Sequence, residues 1–187
     1  MVTIGTLNGG NITITTGPAG HSETRFTIEG GTVETYNITE TLDKQWMIDH
    51  GFLDDGWTKT ITEVDIGNTV TSIGEKAFED CSGLTSVTIP DSVTSVGEYV
   101  FSYCYYLTSI SLPNVTSIDG WAFEDCGLTS VTIGSGIQRI GGGAFATYGD
   151  PMTLTIGKPT SWVSTRYGDW GLPSGSTIVC TDDTITV

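Results

Sequence analysis

Four phenylalanines, Phe78, Phe101, Phe123 and Phe145, recur at steps of 23, 22 and 22 residues. No other feature of the sequence restricts the fold as strongly, because the neighbours recur with them. An apolar residue lies five positions before each Phe: Ile73, Val96, Ile118 and Ile140. Three positions after come Cys81, Cys104, Cys126 and then Tyr148. Leu84, Leu107 and Leu128 follow, and then the alternating pairs Val87/Ile89, Ile110/Leu112, Val131/Ile133 and Leu154/Ile156. Periodicity of this length and fidelity is the mark of a stacked-repeat architecture.

The stretch Ser86-Val87-Thr88-Ile89 alternates with period two, which predicts a short strand with Val87 and Ile89 inward and the hydroxyls outward. One such coil cannot bury its own apolar side, so its stability comes from its neighbours. Equivalent strands then stack as a parallel sheet, about 4.8 Å per rung. Phe78, Phe101, Phe123 and Phe145, with Cys81, Cys104 and Cys126, are the expected core columns, and Tyr148 is expected to fill the cysteine slot of the fourth coil. A partial unit with Ile61, Val64 and Ile66 precedes these, so the solenoid is expected over about 58–157. The glycine after each core Ile or Val is read as permitting a tight corner, with Asp119 the exception.

These residues resemble the BspA-like leucine-rich repeats, whose loose pattern I-G-x-x-A-F-x-x-C-x-x-L-x-x-I-x-I-P matches Ile73 to Pro90 nearly throughout. The likeness covers about half the chain. It implies a mainly β, right-handed leucine-rich-repeat solenoid of stacked parallel short strands. It also implies a secreted or surface-exposed bacterial protein used in adhesion and protein binding; related repeats occur in phage-borne proteins.

Residues 1–57 read as an N-terminal cap. Its short strands are Thr3-Ile4 and Ile12-Thr13-Ile14 around Asn8-Gly9-Gly10, then Arg25 to Ile28, with a helix over about 39–50 capped by Thr39 or Thr41. An oligomerisation module, through which a homo-oligomer would form, is the alternative for this segment. Residues 158–187 read as a β C-terminal cap. There Trp162, Tyr167, Trp170 and Leu172 lid the last coil, and two strands flank Asp182-Asp183.

Charge narrows the partners. Seven basic residues against 22 acidic give a net charge of −15, which excludes a nucleic-acid partner requiring clustered Lys and Arg. No apolar run reaches the roughly 18 residues of a membrane span, so no membrane insertion is expected. Met-Val-Thr-Ile-Gly-Thr lacks the basic and apolar regions of a signal peptide. Export is therefore expected either to follow removal of a leader or to proceed without one.

Enzyme chemistry finds little support. The cysteines share the repeat spacing, so they stack as a column rather than converge as zinc ligands; core packing is favoured over a disulfide or metal. His21 and His50 are the only histidines, and no segment resembles a nucleophile elbow. Glu79-Asp80 and Glu124-Asp125 read as acidic solvated turns, without the Asp/Asn/Gly alternation of calcium loops. The expectation is no catalytic residue, no metal and no cofactor.

Coil two departs from its neighbours. Tyr99, Tyr103, Tyr105 and Tyr106 stand where coil one has Lys76, Asp80, Ser82 and Gly83, and Trp121 follows in the Lys76 slot. These outward slots predict one aromatic patch suited to a protein or glycan ligand. A second candidate is the outward hydroxyl stripe Ser86, Thr88, Ser109, Ser111, Ser130, Thr132, Thr153 and Thr155. The expected function is an extracellular adhesion or recognition module; the rival is a structural or receptor-binding component of a phage virion.

Overall fold

Apolar–hydroxyl alternation yields many strands of only two to six residues in a computed structural model that describes residues 23–28, 32–38, 40–50 and 61–187. In chain order the elements begin with β1 (Glu23–Ile28), β2 (Thr32–Asn37), β3 (Glu40–Leu42), α1 (Lys44–Asp49), β4 (Ile61–Asp65) and β5 (Val70–Ile73). Next come β6 (Ser86–Thr88), β7 (Ser95–Val96), β8 (Ser109–Leu112), β9 (Ser117–Ile118), β10 (Ser130–Ile133), β11 (Arg139–Ile140) and β12 (Thr153–Ile156). The chain closes with α2 (Thr160–Val163), a 3-10 turn at Tyr167–Asp169, β13 (Thr177–Val179) and β14 (Thr184–Thr186).

Each coil runs along three sides. The first carries the longer strands: β8, β10, β12 and β13 pair in parallel, with Val131 beside Ile110 and Leu154, and β14 closes the edge antiparallel. The second carries β3, β5, β7, β9 and β11, also parallel. The third has no strands. Alternate N–H groups on it bond to the next coil, as when Lys76, Phe78 and Asp80 donate to the carbonyls of Glu98, Val100 and Ser102. The eight hydroxyl residues of the first side are all exposed. That side is interrupted, however: β6 belongs to the sheet of β2, β1 and β4, while β8 begins the next sheet. Val87 is part-exposed beside this break.

The core is the stack of columns the periodicity predicts. Phe78, Phe101, Phe123 and Phe145 are buried, with successive ring centroids 5.3, 5.4 and 5.4 Å apart and planes within 11° of parallel. Cys81, Cys104 and Cys126 are buried free thiols. The Sγ of Cys104 donates to the Phe78 carbonyl at 3.2 Å, and that of Cys126 to the Phe101 carbonyl at 2.9 Å. Burial pushes the Cys81 thiol up to about 12.

Three sequence expectations are corrected. Tyr148 does not occupy the cysteine slot; its side chain is 101% exposed, on a corner lengthened to Gly149-Asp150-Pro151, while Met152 is buried nearby. The helix is shorter than 39–50. Residues 40–42 are a strand of the second side, and the cap is Asp43, whose carboxylate accepts from the Trp46 N–H at 2.9 Å. The corner glycines serve close approach rather than an unusual φ. A Cβ on Gly97 would stand 2.9 Å from the Glu75 nitrogen, and one on Gly141 2.4 Å from the Gly120 nitrogen. Asp119 is accommodated in the equivalent place and pairs with Arg139 of the next coil at 2.7 Å.

At the N-terminal side, β1 pairs antiparallel with both β2 and β4. The readings placed on Thr3 to Ile14, the Thr39 cap and His21 lie outside the described residues. At the other end Trp170 is buried, Trp162, Tyr167 and Leu172 pack partly buried against the core, and β13 extends the parallel sheet past residue 158.

Candidate functional site

The third side of the solenoid positions the aromatic residues. Its backbone repeats two left-handed positions in each of coils one to three and one in coil four. One slot holds Lys76, Tyr99, Trp121 and Gly143, with φ of 59, 54, 52 and 64°; the other holds Asp80, Tyr103 and Asp125, with φ of 62, 63 and 47°. A left-handed residue projects its side chain away from the coil, which is why these slots escape the core. In these slots Trp121 is exposed, and Tyr99 and Tyr103 are part-exposed. The sequence gives no sign of this conformation, because left-handed positions are ordinarily signalled by Gly or Asn.

The five candidates resolve into two clusters. Tyr99 and Trp121 stack with ring centroids 5.5 Å apart and planes 7° from parallel. Lys76 Nζ from the preceding coil sits 5.2 Å from the Tyr99 centroid. A Cβ on Gly143 would lie 2.6 Å from Trp121 Nε1, so the indole extends over the glycine of the following coil. This ladder, Lys76–Tyr99–Trp121–Gly143, occupies its ring faces internally and offers mainly edges; Trp121 is 41% exposed. Tyr103 instead meets Tyr105, at 6.2 Å and 49°. Tyr105 and Tyr106 are 55% and 67% exposed.

The electrostatics around Tyr103 are negative. Its hydroxyl is raised above the usual tyrosine range, first by Glu124 and also by Asp125, Tyr105 and Asp80. Glu79 behaves differently from the solvated carboxylate the sequence suggests. It is part-buried and holds two lysines, Lys44 Nζ at 2.7 Å and Lys76 Nζ at 3.1 Å. Burial would raise its carboxyl, but hydrogen bonds from both ammonium groups outweigh burial and hold it below the usual range. Glu124 accepts from the buried Ser102 hydroxyl at 3.2 Å.

His50 caps α1, with Nδ1 2.8 Å from the Trp46 carbonyl and its ring stacked on Trp46 at 4.0 Å. Among the described residues no three His, Cys, Asp or Glu side chains are grouped to share a metal ion. No described helix is long and apolar enough to cross a membrane.

Stacked short strands, a phenylalanine column and hydroxyl-faced rungs define a leucine-rich-repeat solenoid. The chain belongs to the family described as the BspA-type leucine rich repeat region, whose profile matches residues 56–149 in six copies. Proteins built on this solenoid are generally non-enzymatic. Among solved structures, a leucine-rich repeat protein from Bacteroides ovatus ATCC 8483 is 35% identical with a TM-score of 0.51; the match covers 68% of this chain and 31% of that one. A leucine rich cell surface protein from Faecalibacterium prausnitzii A2-165 is 25% identical with a TM-score of 0.39, covering 65% of this chain and 44% of that one. The aligned region is thus less than half the length of either structure. No curated protein shows significant similarity to the chain.

Proposed function

We propose that the chain is a non-enzymatic recognition module acting outside the bacterial cell, binding a host protein or glycan through Tyr99, Tyr103, Tyr105, Tyr106 and Trp121. One observation carries this reading. Tyr99, Tyr103 and Trp121 occupy left-handed backbone positions that disfavour bulky side chains by about 1–2 kcal/mol each. Equivalent slots of the same solenoid accept Lys76, Asp80 and Gly143, so the repeat itself does not require aromatics there. Strain kept at a surface position that the fold leaves free is a reason to look for recognition, and exposed Tyr and Trp are the side chains most enriched where partners dock.

The test uses replacements suited to the backbone. Tyr103→Asn tolerates positive φ, and Trp121→Lys copies the residue of coil one. The double variant should lose binding on arrays of extracellular-matrix proteins and glycans while still unfolding in a single cooperative transition. Unchanged binding rejects the aromatic surface. Polysaccharide turnover abolished by substituting an Asp or Glu would reject the non-enzymatic reading.

A further inference from the structure

One corner of the third coil is short. Ser82-Gly83 and Tyr105-Tyr106 separate the core cysteine from the core leucine in coils one and two, whereas Gly127 alone separates Cys126 from Leu128. A Cβ on Gly127 would lie 2.1 Å from the Tyr105 carbonyl oxygen, so this corner is drawn in against the preceding coil. The next corner is long and carries the fully exposed Tyr148. The result is a shallow, open groove lined by Tyr105, Asp125, Cys126, Gly127, Thr147 and Tyr148. Tyr105 and Tyr148 come from coils two rungs apart. That is a backbone separation of ~10 Å at normal strand spacing, wide enough for a side chain to enter between the two tyrosines.

The charge around the groove selects the occupant. The protein carries −15 overall, and Asp125 in the groove lining has no ion pair among the described residues. None of the described cations lines the groove. Arg25 pairs with Asp65, Lys44 and Lys76 with Glu79, and Arg139 with Asp119. Lys158 and Arg166 lie over Trp162, at 5.4 and 4.6 Å from its ring centroid. The molecule therefore already seats cations on aromatic rings at Tyr99 and Trp162, and the groove repeats the aromatic seat, adds a carboxylate and supplies no cation of its own.

We propose that the Tyr105–Tyr148 groove docks an arginine or lysine side chain from a basic segment of a partner protein, the cation lying against the tyrosine rings and donating to the Asp125 carboxylate. This rests on the recognition function above and names its partner chemistry. A cation on an aromatic face is attracted by the ring quadrupole, and more strongly once water is excluded. An acidic protein also draws basic partners to it, with a strong dependence on ionic strength.

The 187-residue chain titrated with a fluorescent Gly-Arg-Gly-Arg peptide should bind it and discriminate against the neutral citrulline analogue. Tyr148→Ala, which disturbs no buried group, should weaken binding roughly three- to thirty-fold. Asp125→Asn, compatible with the left-handed backbone, should weaken it and flatten its salt dependence. Equal affinity for the citrulline peptide, or an unaffected Tyr148→Ala variant, overturns the proposal. So does binding of cellotetraose in place of the arginine peptide when that binding is lost in Tyr148→Ala, because the groove would then be a glycan site. Failure here with array binding still lost in the Tyr103→Asn/Trp121→Lys variant refutes only the groove. Failure of both refutes the recognition surface as well.

Discussion

Gly143 is the one left-handed position of its slot where the residue type matches the backbone, and its neighbour explains why. Alanine there would adopt φ near +64° and would bring its Cβ to 2.6 Å from Trp121 Nε1. The first cost is about 1 kcal/mol for a non-glycine residue in this region, and the indole clash adds to it. Gly143→Ala should therefore destabilise by about 2 kcal/mol or more in urea unfolding. In a Trp121→Ala background the same substitution should cost only the backbone part. Equal costs in the two backgrounds would show that Trp121 does not rest on Gly143. At this scale the buried phenylalanines and cysteines were readable from spacing alone, since a column position admits little variation. Tyr148 was not. It sits three residues after a core Phe, as the cysteines do, but the corner that follows is lengthened, and register counted from the Phe no longer says where a side chain points. The one residue missing beside Gly127 was the sequence signal for the groove and is visible only once the third coil is compared with its neighbours at that corner.

Between elements, the repeat pattern predicted the parallel rungs in register but not how α1 is fastened to them. The expected caps, Thr39 and Thr41, were chosen by residue type; Asp43 accepts the bond instead, because residues 40–42 are taken as a rung beside β5. Lys44, the first helical residue, then reaches Glu79 of coil one, which also holds Lys76. The carboxyl of Glu79 is held below its usual range, so its contribution is present above ordinary carboxylate values and is lost as pH falls through the lowered folded value. Lys76 is raised above 10.5, chiefly by its hydrogen bond to Glu79, so its contribution is present below 10.5 and lost as pH rises through the raised value. Glu79→Gln should thus melt lower than wild type at neutral pH, by an amount on the order of 1 kcal/mol for two part-exposed pairs. The two proteins should converge in acid. A constant difference from neutral to acid pH would mean that Glu79 contributes packing rather than charge.

Across the whole molecule, stability is carried from rung to rung, and the last rung has to be covered. Phe145 and Gly143 donate their backbone N–H groups to the carbonyls of Trp170 and Asp169, and β13 continues the sheet beside β12. Trp170 and Val163 are buried over the same end. Removing residues 158–187 would leave those N–H groups without partners and open Phe145, Leu154 and Ile156 to water, at about 1.5–3 kcal/mol for each side chain fully exposed. The segment contains two basic and three acidic residues, so its loss barely alters the net charge. Charge repulsion and apolar coverage are thereby separated as causes of solubility. If coverage governs, as the requirement for capping in stacked repeats implies, a chain ending at 157 should associate in size-exclusion chromatography and melt without a sharp transition. A truncated chain that stayed monomeric and cooperative would show instead that the acidic surface alone keeps an open-ended solenoid in solution.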